Sequence, residues 1–307
     1  MRRFLLIVVV ALGALVVLPP LWFSVFPEEV PALAAGDRMI PVGGGVSVSA
    51  VVRGSGRPVV LVHGLPGSAH DWAPTTELLA RRGHRVIAYD RVGYGNSDAR
   101  KNGEFTPDGS AGDLLGLLES QDLTDVTVVG WSYGGATAIR AARLDPSRIG
   151  RLVLVGSAGH WPDVPSDPVI FRVLFSAPVL GWIAKVPPVG RAVQAGFSGQ
   201  AFGDEPMPDW WLPQLASNFA SPHMMETYSA EGAAMGWGDD LDTSSIDLPI
   251  LVVHGDADLL VPLEVGRRID AAAPRSQLFV VEGGSHMLPV TRPDEIAKRV
   301  ASFAFIQ

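Results

Sequence analysis

A serine between glycines, a histidine in a glycine-rich loop and two aspartates near a strand end are the residues of this 307-residue chain that could act together on an acyl bond. Gly130-Trp131-Ser132-Tyr133-Gly134 is its one G-x-S-x-G sequence. An apolar stretch, Val126 to Val129, precedes it and an Ala-rich stretch, Gly134 to Ala142, follows. Ser132 is therefore expected on a sharp strand-to-helix turn, its Oγ at the carboxyl end of a sheet. A serine hydroxyl is barely ionised near neutral pH and needs a base within hydrogen-bond reach. Among seven histidines, His286 in EGGSHMLPVTRP lies just past an expected strand end, on the same sheet edge as Ser132. His254 falls inside a strand and is expected to be structural, whereas His70, His84, His160 and His223 fall in loops or helices and are expected to face solvent or cap. The imidazole's other nitrogen needs an acceptor that stabilises the cation formed on proton transfer. HGDADLLVP (His254 to Pro262) offers Asp256 and Asp258, and spacing alone does not choose between them.

The elements that must position these groups alternate between strand and helix. Met39 to Gly54 has period-2 apolar character broken by a glycine turn, which predicts a hairpin. RPVVLVHG (Arg57 to Gly64), RVIAYD (Arg85 to Asp90), DVTVVGWS (Asp125 to Ser132), RLVLVGSA (Arg151 to Ala158), PILVVHGDAD (Pro249 to Asp258) and QLFVVEGG (Gln277 to Gly284) read as strands, several of them continuously apolar. Such runs suit strands buried on both faces. Helical stretches ending near Arg82 and covering Gly112 to Ser120, Tyr133 to Leu144, Pro262 to Ala272 and Pro293 to Ala304 lie between and after them. The pattern predicts an α/β fold, a doubly wound and mostly parallel sheet with helices on both faces. Residues 159–246 break it: they hold 10 of the 25 prolines and five of the eight tryptophans (Trp161, Trp182, Trp210, Trp211 and Trp237). This segment reads as a helical cap inserted into a core of residues 38–158 and 247–307.

The amino terminus is of another kind. Arg2 and Arg3 precede Phe4 to Phe26, which carries no charge, and Glu28 is the next ionisable residue. Those residues would reach roughly 34 Å as a helix, enough for a hydrocarbon core of about 30 Å. Residues 1–27 are expected to be a signal-anchor or transmembrane segment with the domain exported, periplasmic or extracellular. Secretion after signal cleavage is the alternative, with Ala32-Leu33-Ala34 as the cleavage site.

Composition narrows the chemistry. The chain is 47% hydrophobic and 18% charged, which fits a packed globule rather than a disordered chain. Without cysteine it can build neither a disulfide framework nor a Cys nucleophile. A net charge of −8 argues against broad nucleic-acid binding, which needs basic surface. No phosphate-binding G-x-x-x-x-G-K-[ST] and no zinc-binding H-E-x-x-H occurs, and Gly93-Tyr94-Gly95 lacks the third glycine of a dinucleotide fingerprint. Neither a cofactor nor a metal is expected.

With the order Ser132, an acid at 256–258, and His286, the chain resembles the α/β-hydrolase superfamily. HGLPGS (His63 to Ser68) is similar to the family's oxyanion loop, and YDRVGYGNS (Tyr89 to Ser97) to its D-x-x-G-x-G-x-S stretch. The family pattern G-x-x-D-x-x-V-P matches Gly255, Asp258, Val261 and Pro262, so the resemblance selects Asp258. Thr291-Arg292-Pro293 departs from the acid that the family carries before R-P, a departure expected to be harmless. The resemblance implies a Ser132–His286–Asp258 triad, with backbone N–H groups of Leu65 and Tyr133 as the oxyanion hole. It implies a serine hydrolase cleaving an ester of a hydrophobic small molecule under an apolar cap. Cleavage of carbon–carbon bonds in diketones, or cofactor-free peroxidase activity, is the alternative on the same scaffold, and an inert binding module is disfavoured because all three positions are filled. Dehalogenases and epoxide hydrolases of the fold are disfavoured too, because they carry Asp where this chain has Ser132.

Overall fold

The computed structural model describes residues 37–100, 105–159, 187–220, 223–234 and 241–305. The expected segment 1–27 lies outside the described residues, among which no helix is long and apolar enough to cross a membrane.

Eight strands form one sheet in the order β1-β2-β4-β3-β5-β6-β7-β8. The hairpin is β1 (Asp37–Gly43) with β2 (Val46–Arg53), antiparallel, and β2 pairs antiparallel with β4 (His84–Tyr89). From there β3 (Arg57–Val62), β5 (Val126–Trp131), β6 (Ile149–Val155), β7 (Ile250–Gly255) and β8 (Ser276–Val281) continue in parallel. Parallel strands need crossovers, and helices supply them: α1 (Ala73–Arg81), α2 (Pro107–Ser120), α3 (Tyr133–Leu144) and, after the cap, α7 (Leu263–Ala272). Residues 187–234 of the insertion carry α4 (Pro187–Phe202), α5 (Trp211–Ala220) and α6 (Met224–Ala234). A short α8 (Leu288–Thr291) and α9 (Pro293–Phe303) close the described chain.

Side-chain alternation divides the core into two layers. Val60, Val62, Val128, Leu152, Leu154 and Val252 face one way, packed under α2 and α3 through Leu114, Leu117, Leu118 and Ile139. Their neighbours Val59, Leu61, Val129, Val153, Val155 and Val253 face the other way, against Leu79 of α1 and Ile296, Val300 and Phe303 of α9. Period-2 alternation with both sets apolar is what a strand covered on both faces requires, and it explains the unbroken valine and leucine runs. Phe202 of α4 and Trp211 and Leu215 of α5 join the second layer, so these inserted helices share its hydrophobic packing.

His84 corrects one expectation. It is the first residue of β4, fully buried, with its ring 5.5 Å from that of Phe305. The contact that covers it comes from the far end of the chain, which no local pattern displays. His70 and His223 are exposed, as expected, and His160 lies outside the described residues.

Candidate active site

Ser132 occupies the turn between β5 and α3 with φ 54° and ψ −121°. A non-glycine residue there is strained, and the cost persists only where surrounding structure enforces it. Its amide donates to the Val155 carbonyl at 3.0 Å, and its own carbonyl accepts from Gly135 at 3.0 Å and Ala158 at 3.1 Å. The flanking glycines allow close approach: a Cβ on Gly130 would lie 2.3 Å from the Gly134 carbonyl oxygen, and one on Gly134 would lie 2.2 Å from that of Val62. Strand, turn and helix are thereby pressed together and the serine is forced onto their crest.

Asp258 and His286 come from the loops after β7 and β8. His286 Nδ1 is 2.7 Å from Asp258 Oδ2, and Asp258 Oδ1 accepts from the amides of Leu260 and Val261 at 2.9 and 2.8 Å. With every one of these bonds on the acid, the imidazole is held by Nδ1–H and Nε2 is left as its basic atom. Gly156, next to the residue that binds the Ser132 amide, lies against this pair: a Cβ there would be 3.3 Å from Asp258 Oδ2 and 3.5 Å from His286 Nδ1. Trp131, which precedes the serine, donates from Nε1 to the His286 carbonyl at 2.9 Å. Serine, imidazole and carboxylate thus share one rim of the sheet. Asp256, the other candidate acid, is exposed and accepts the Gly283 amide at 2.7 Å, bracing the loop before His286.

His254 is buried in β7, 2.8 Å from the Val261 carbonyl oxygen through Nε2. Burial lowers its pKa, against raising contributions from that bond and from Asp258. A neutral ring donating from Nε2 braces the loop of the acid.

The HGLPGS loop passes directly over the serine, since a Cβ on Gly64 would lie 3.0 Å from Ser132 Cβ. Leu65 follows Gly64 in this loop, and Tyr133 is the first residue of α3, where main-chain N–H groups have no partner within the helix. His63 fixes the loop from below. Its Nε2 accepts the Arg91 amide at 2.9 Å, which leaves Nδ1 to donate to the Gly64 carbonyl at 2.8 Å. Burial, then the Arg91 charge, hold its pKa well below the usual value, in keeping with this neutral tautomer. In the D-x-x-G-x-G-x-S stretch, Asp90 accepts the amides of Ala69 at 2.8 Å and Asn96 at 3.0 Å, so this motif is a brace.

Sequence reasoning missed two carboxylates of the insertion between β6 and β7. Glu231 of α6 takes Arg91 Nη1 at 2.5 Å and the Tyr94 hydroxyl at 2.6 Å, while the Arg91 guanidinium stacks 4.5 Å from the Tyr133 ring. Burial would lower the Arg91 pKa, but Glu231 and the two tyrosines outweigh it and raise it. Glu205, between α4 and α5, accepts from the Ser285 amide at 2.9 Å, the Thr291 hydroxyl at 2.8 Å and Arg292 Nε at 2.6 Å. Burial pushes its pKa up, and these hydrogen bonds overcome that and hold it below the usual carboxylate range. Neither acid lies in a motif, and only the fold brings them to the loops they touch. Of the cap tryptophans, Trp211 is buried with Nε1 on Ser198 Oγ at 3.0 Å, Trp210 is partly exposed, and Trp161, Trp182 and Trp237 lie outside the described residues. Among the described residues no group of three or more His, Asp or Glu is placed to hold a metal ion.

Residues 57–293 match the family model described as alpha/beta hydrolase fold. The chain belongs to the α/β-hydrolase fold family. It is 31% identical over 258 residues to a non-heme chloroperoxidase of Kitasatospora aureofaciens, covering 79% of this chain and 89% of that one. It is 28% identical over 278 residues to a 2-hydroxy-6-oxo-2,4-heptadienoate hydrolase of Pseudomonas putida, covering 87% and 95%. The solved structure of an esterase from Exiguobacterium antarcticum superposes with a TM-score of 0.73 at 24% identity, covering 87% of this chain and 98% of that one, a likeness of fold. This α/β-hydrolase therefore has relatives named for different reactions.

Proposed function

We propose that this α/β-hydrolase is a serine esterase acting on a neutral, hydrophobic small-molecule ester. The observation that carries the reading is the 2.7 Å bond between Asp258 and His286 at the rim where Ser132 stands on its strained turn. Ser132 Oγ attacks the acyl carbonyl as His286 Nε2 takes its proton, and Asp258 steadies the imidazolium. The developing alkoxide is met by the N–H groups of Leu65 and Tyr133 and by the positive end of α3. His286 returns the proton to the departing alcohol, and water then resolves the acyl-enzyme by the same relay.

The relatives' names keep two other outcomes in view, a carbon–carbon bond hydrolase and a cofactor-free peroxidase. The dienoate named for one relative carries a carboxylate, which a buried, unpaired cation would favour. Among the described residues the buried cation beside Tyr133 is Arg91, and it is already paired with Glu231, which favours an uncharged ester. The same reading places the catalytic domain on the exported side of a membrane, supported by the uncharged stretch Phe4 to Phe26 behind Arg2 and Arg3.

A panel of aryl and alkyl esters of increasing acyl length, run beside a diketone and a peroxide–halide assay, tests the assignment. Preferred turnover of neutral esters, abolished in Ser132→Ala and matched by fluorophosphonate labelling of the wild type, is the expected result. Turnover of the diketone or halide substrate with esters inert would overturn it.

A further inference from the structure

The loop that carries His286 is intrinsically loose. It contains Gly283, at φ +64°, and Gly284, and such a segment gives up much conformational freedom on folding. Where the imidazole sits therefore depends on what holds the loop. From the loop after β7, Ala257 donates to the Gly284 carbonyl at 3.0 Å; from β5, Trp131 holds the His286 carbonyl. From the cap comes Glu205, whose carboxylate receives the amide of Ser285, the residue next to His286, and at the same time Thr291 and Arg292 at the end of α8. One side chain thus ties down both ends of the segment 285–292.

Its surroundings set this contact apart from a surface ion pair, which contributes little. The Glu205 side chain is 7% exposed while that of its partner Arg292 is 43% exposed, and one of its bonds is to main chain. Removing the carboxylate deprives the amide of Ser285, a buried residue, of its acceptor at the position adjoining His286. Displacement of a reacting group by about 1 Å can cost on the order of 100-fold in rate.

We propose that Glu205 is a positioning residue for His286: the cap reaches down to fasten the loop of the general base, and so helps set the catalytic geometry as well as covering the pocket. This rests on the reading of His286 as the base.

The test uses the full chain and the variants Glu205→Gln and Glu205→Ala, with Glu264→Gln, an exposed partner of Arg268 on α7, as control. Turnover of 4-nitrophenyl butyrate is followed against pH, together with the low-field proton resonance of His286 Nδ1–H, which needs no substrate. Glu205→Ala is expected to lower kcat about 30- to 100-fold with KM within about threefold, to shift the acid limb of the profile and to broaden the resonance, with Glu205→Gln intermediate. A folded Glu205→Ala with wild-type kcat, profile and resonance overturns the proposal, and so does a rise in KM alone. Should that variant not fold, Thr291→Val and Arg292→Gln each remove one donor; a graded loss of kcat supports the proposal and no change in either overturns it. A wild type inert to both the ester and fluorophosphonate defeats the hydrolase reading instead, and the resonance alone then decides the role of Glu205.

Discussion

Trp131, the residue before Ser132, reaches the main-chain oxygen of His286, 2.9 Å from its indole Nε1. The two rings lie 5.7 Å apart. Because the same peptide bond leads into Ser132, the distance between hydroxyl and imidazole is governed through a rigid, buried side chain. Trp131→Phe keeps most of the packing and loses the hydrogen bond. Its kcat is expected to fall about tenfold while the protein stays folded, as read by steady-state kinetics and circular dichroism.

The strained turn makes a prediction about stability that is separate from activity. Glycine tolerates a positive φ that serine does not, and strain of this kind costs on the order of 1–3 kcal/mol. Ser132→Gly should unfold about 1 kcal/mol later than Ser132→Ala in denaturant titrations. Both should be inactive, so the strain of this turn is relieved only by losing the Ser132 hydroxyl.

Asp258 and Asp256 should separate cleanly. Asp258→Asn disturbs the tautomer and orientation of His286 and is expected to lower kcat by about 10³- to 10⁴-fold. Asp256→Asn leaves an oxygen able to accept the Gly283 amide and should cost less than about threefold. Kinetics of the two variants with one ester suffice.

A pH effect on stability follows from Asp71, fully buried beneath the HGLPGS loop. Burial raises its pKa from 3.8 to about 7, helped by Asp90 and opposed by the Ser68 amide. Between those values the folded protein holds a proton that the unfolded chain releases, so stability falls as pH rises from about 4 to about 7. The whole shift corresponds to about 4 kcal/mol at most. Asp71→Asn should remove that slope and raise the melting temperature at pH 8, measured by thermal scans across the range.

The Arg91–Glu231 pair should respond asymmetrically. Glu231→Ala strands a buried cation and removes the acceptor of Tyr94, at an expected cost of about 3–5 kcal/mol. Replacing both members with Arg91→Met and Glu231→Leu should cost far less, because a buried ion pair is offset by its own desolvation. Urea unfolding of the single and double variants tests this.

The sheet was readable because every central strand is a short apolar run and every crossover helix lies between two of them; α3 begins and ends where the sequence puts it. Ser132 and His286 were readable because each stands at a strand end beside glycine. Spacing alone did not separate Asp258 from Asp256, which has the same chemistry two residues away; the family pattern selected Asp258, and the structure sets its carboxylate 2.7 Å from His286. Glu205, Glu231 and Arg91 were invisible for a related reason. Their partners lie tens to hundreds of residues distant, and a lone carboxylate in a proline-rich segment looks like solvated surface until a fold places it against a loop. His84 shows the same limit in the core.

The strand that leads into Ser132 is synthesised before the insertion, and the loops bearing Asp258 and His286 after it, with Trp131 and His286 separated by 155 positions. On the proposed mechanism, a growing polypeptide exposes the Ser132 hydroxyl long before its base exists, and is inactive until β8 docks on β7. Breaking the backbone inside the insertion would give two mute fragments whose turnover returns only when β6 and β7 find each other. Reassembly of the halves could then be followed simply by the colour of a released phenol.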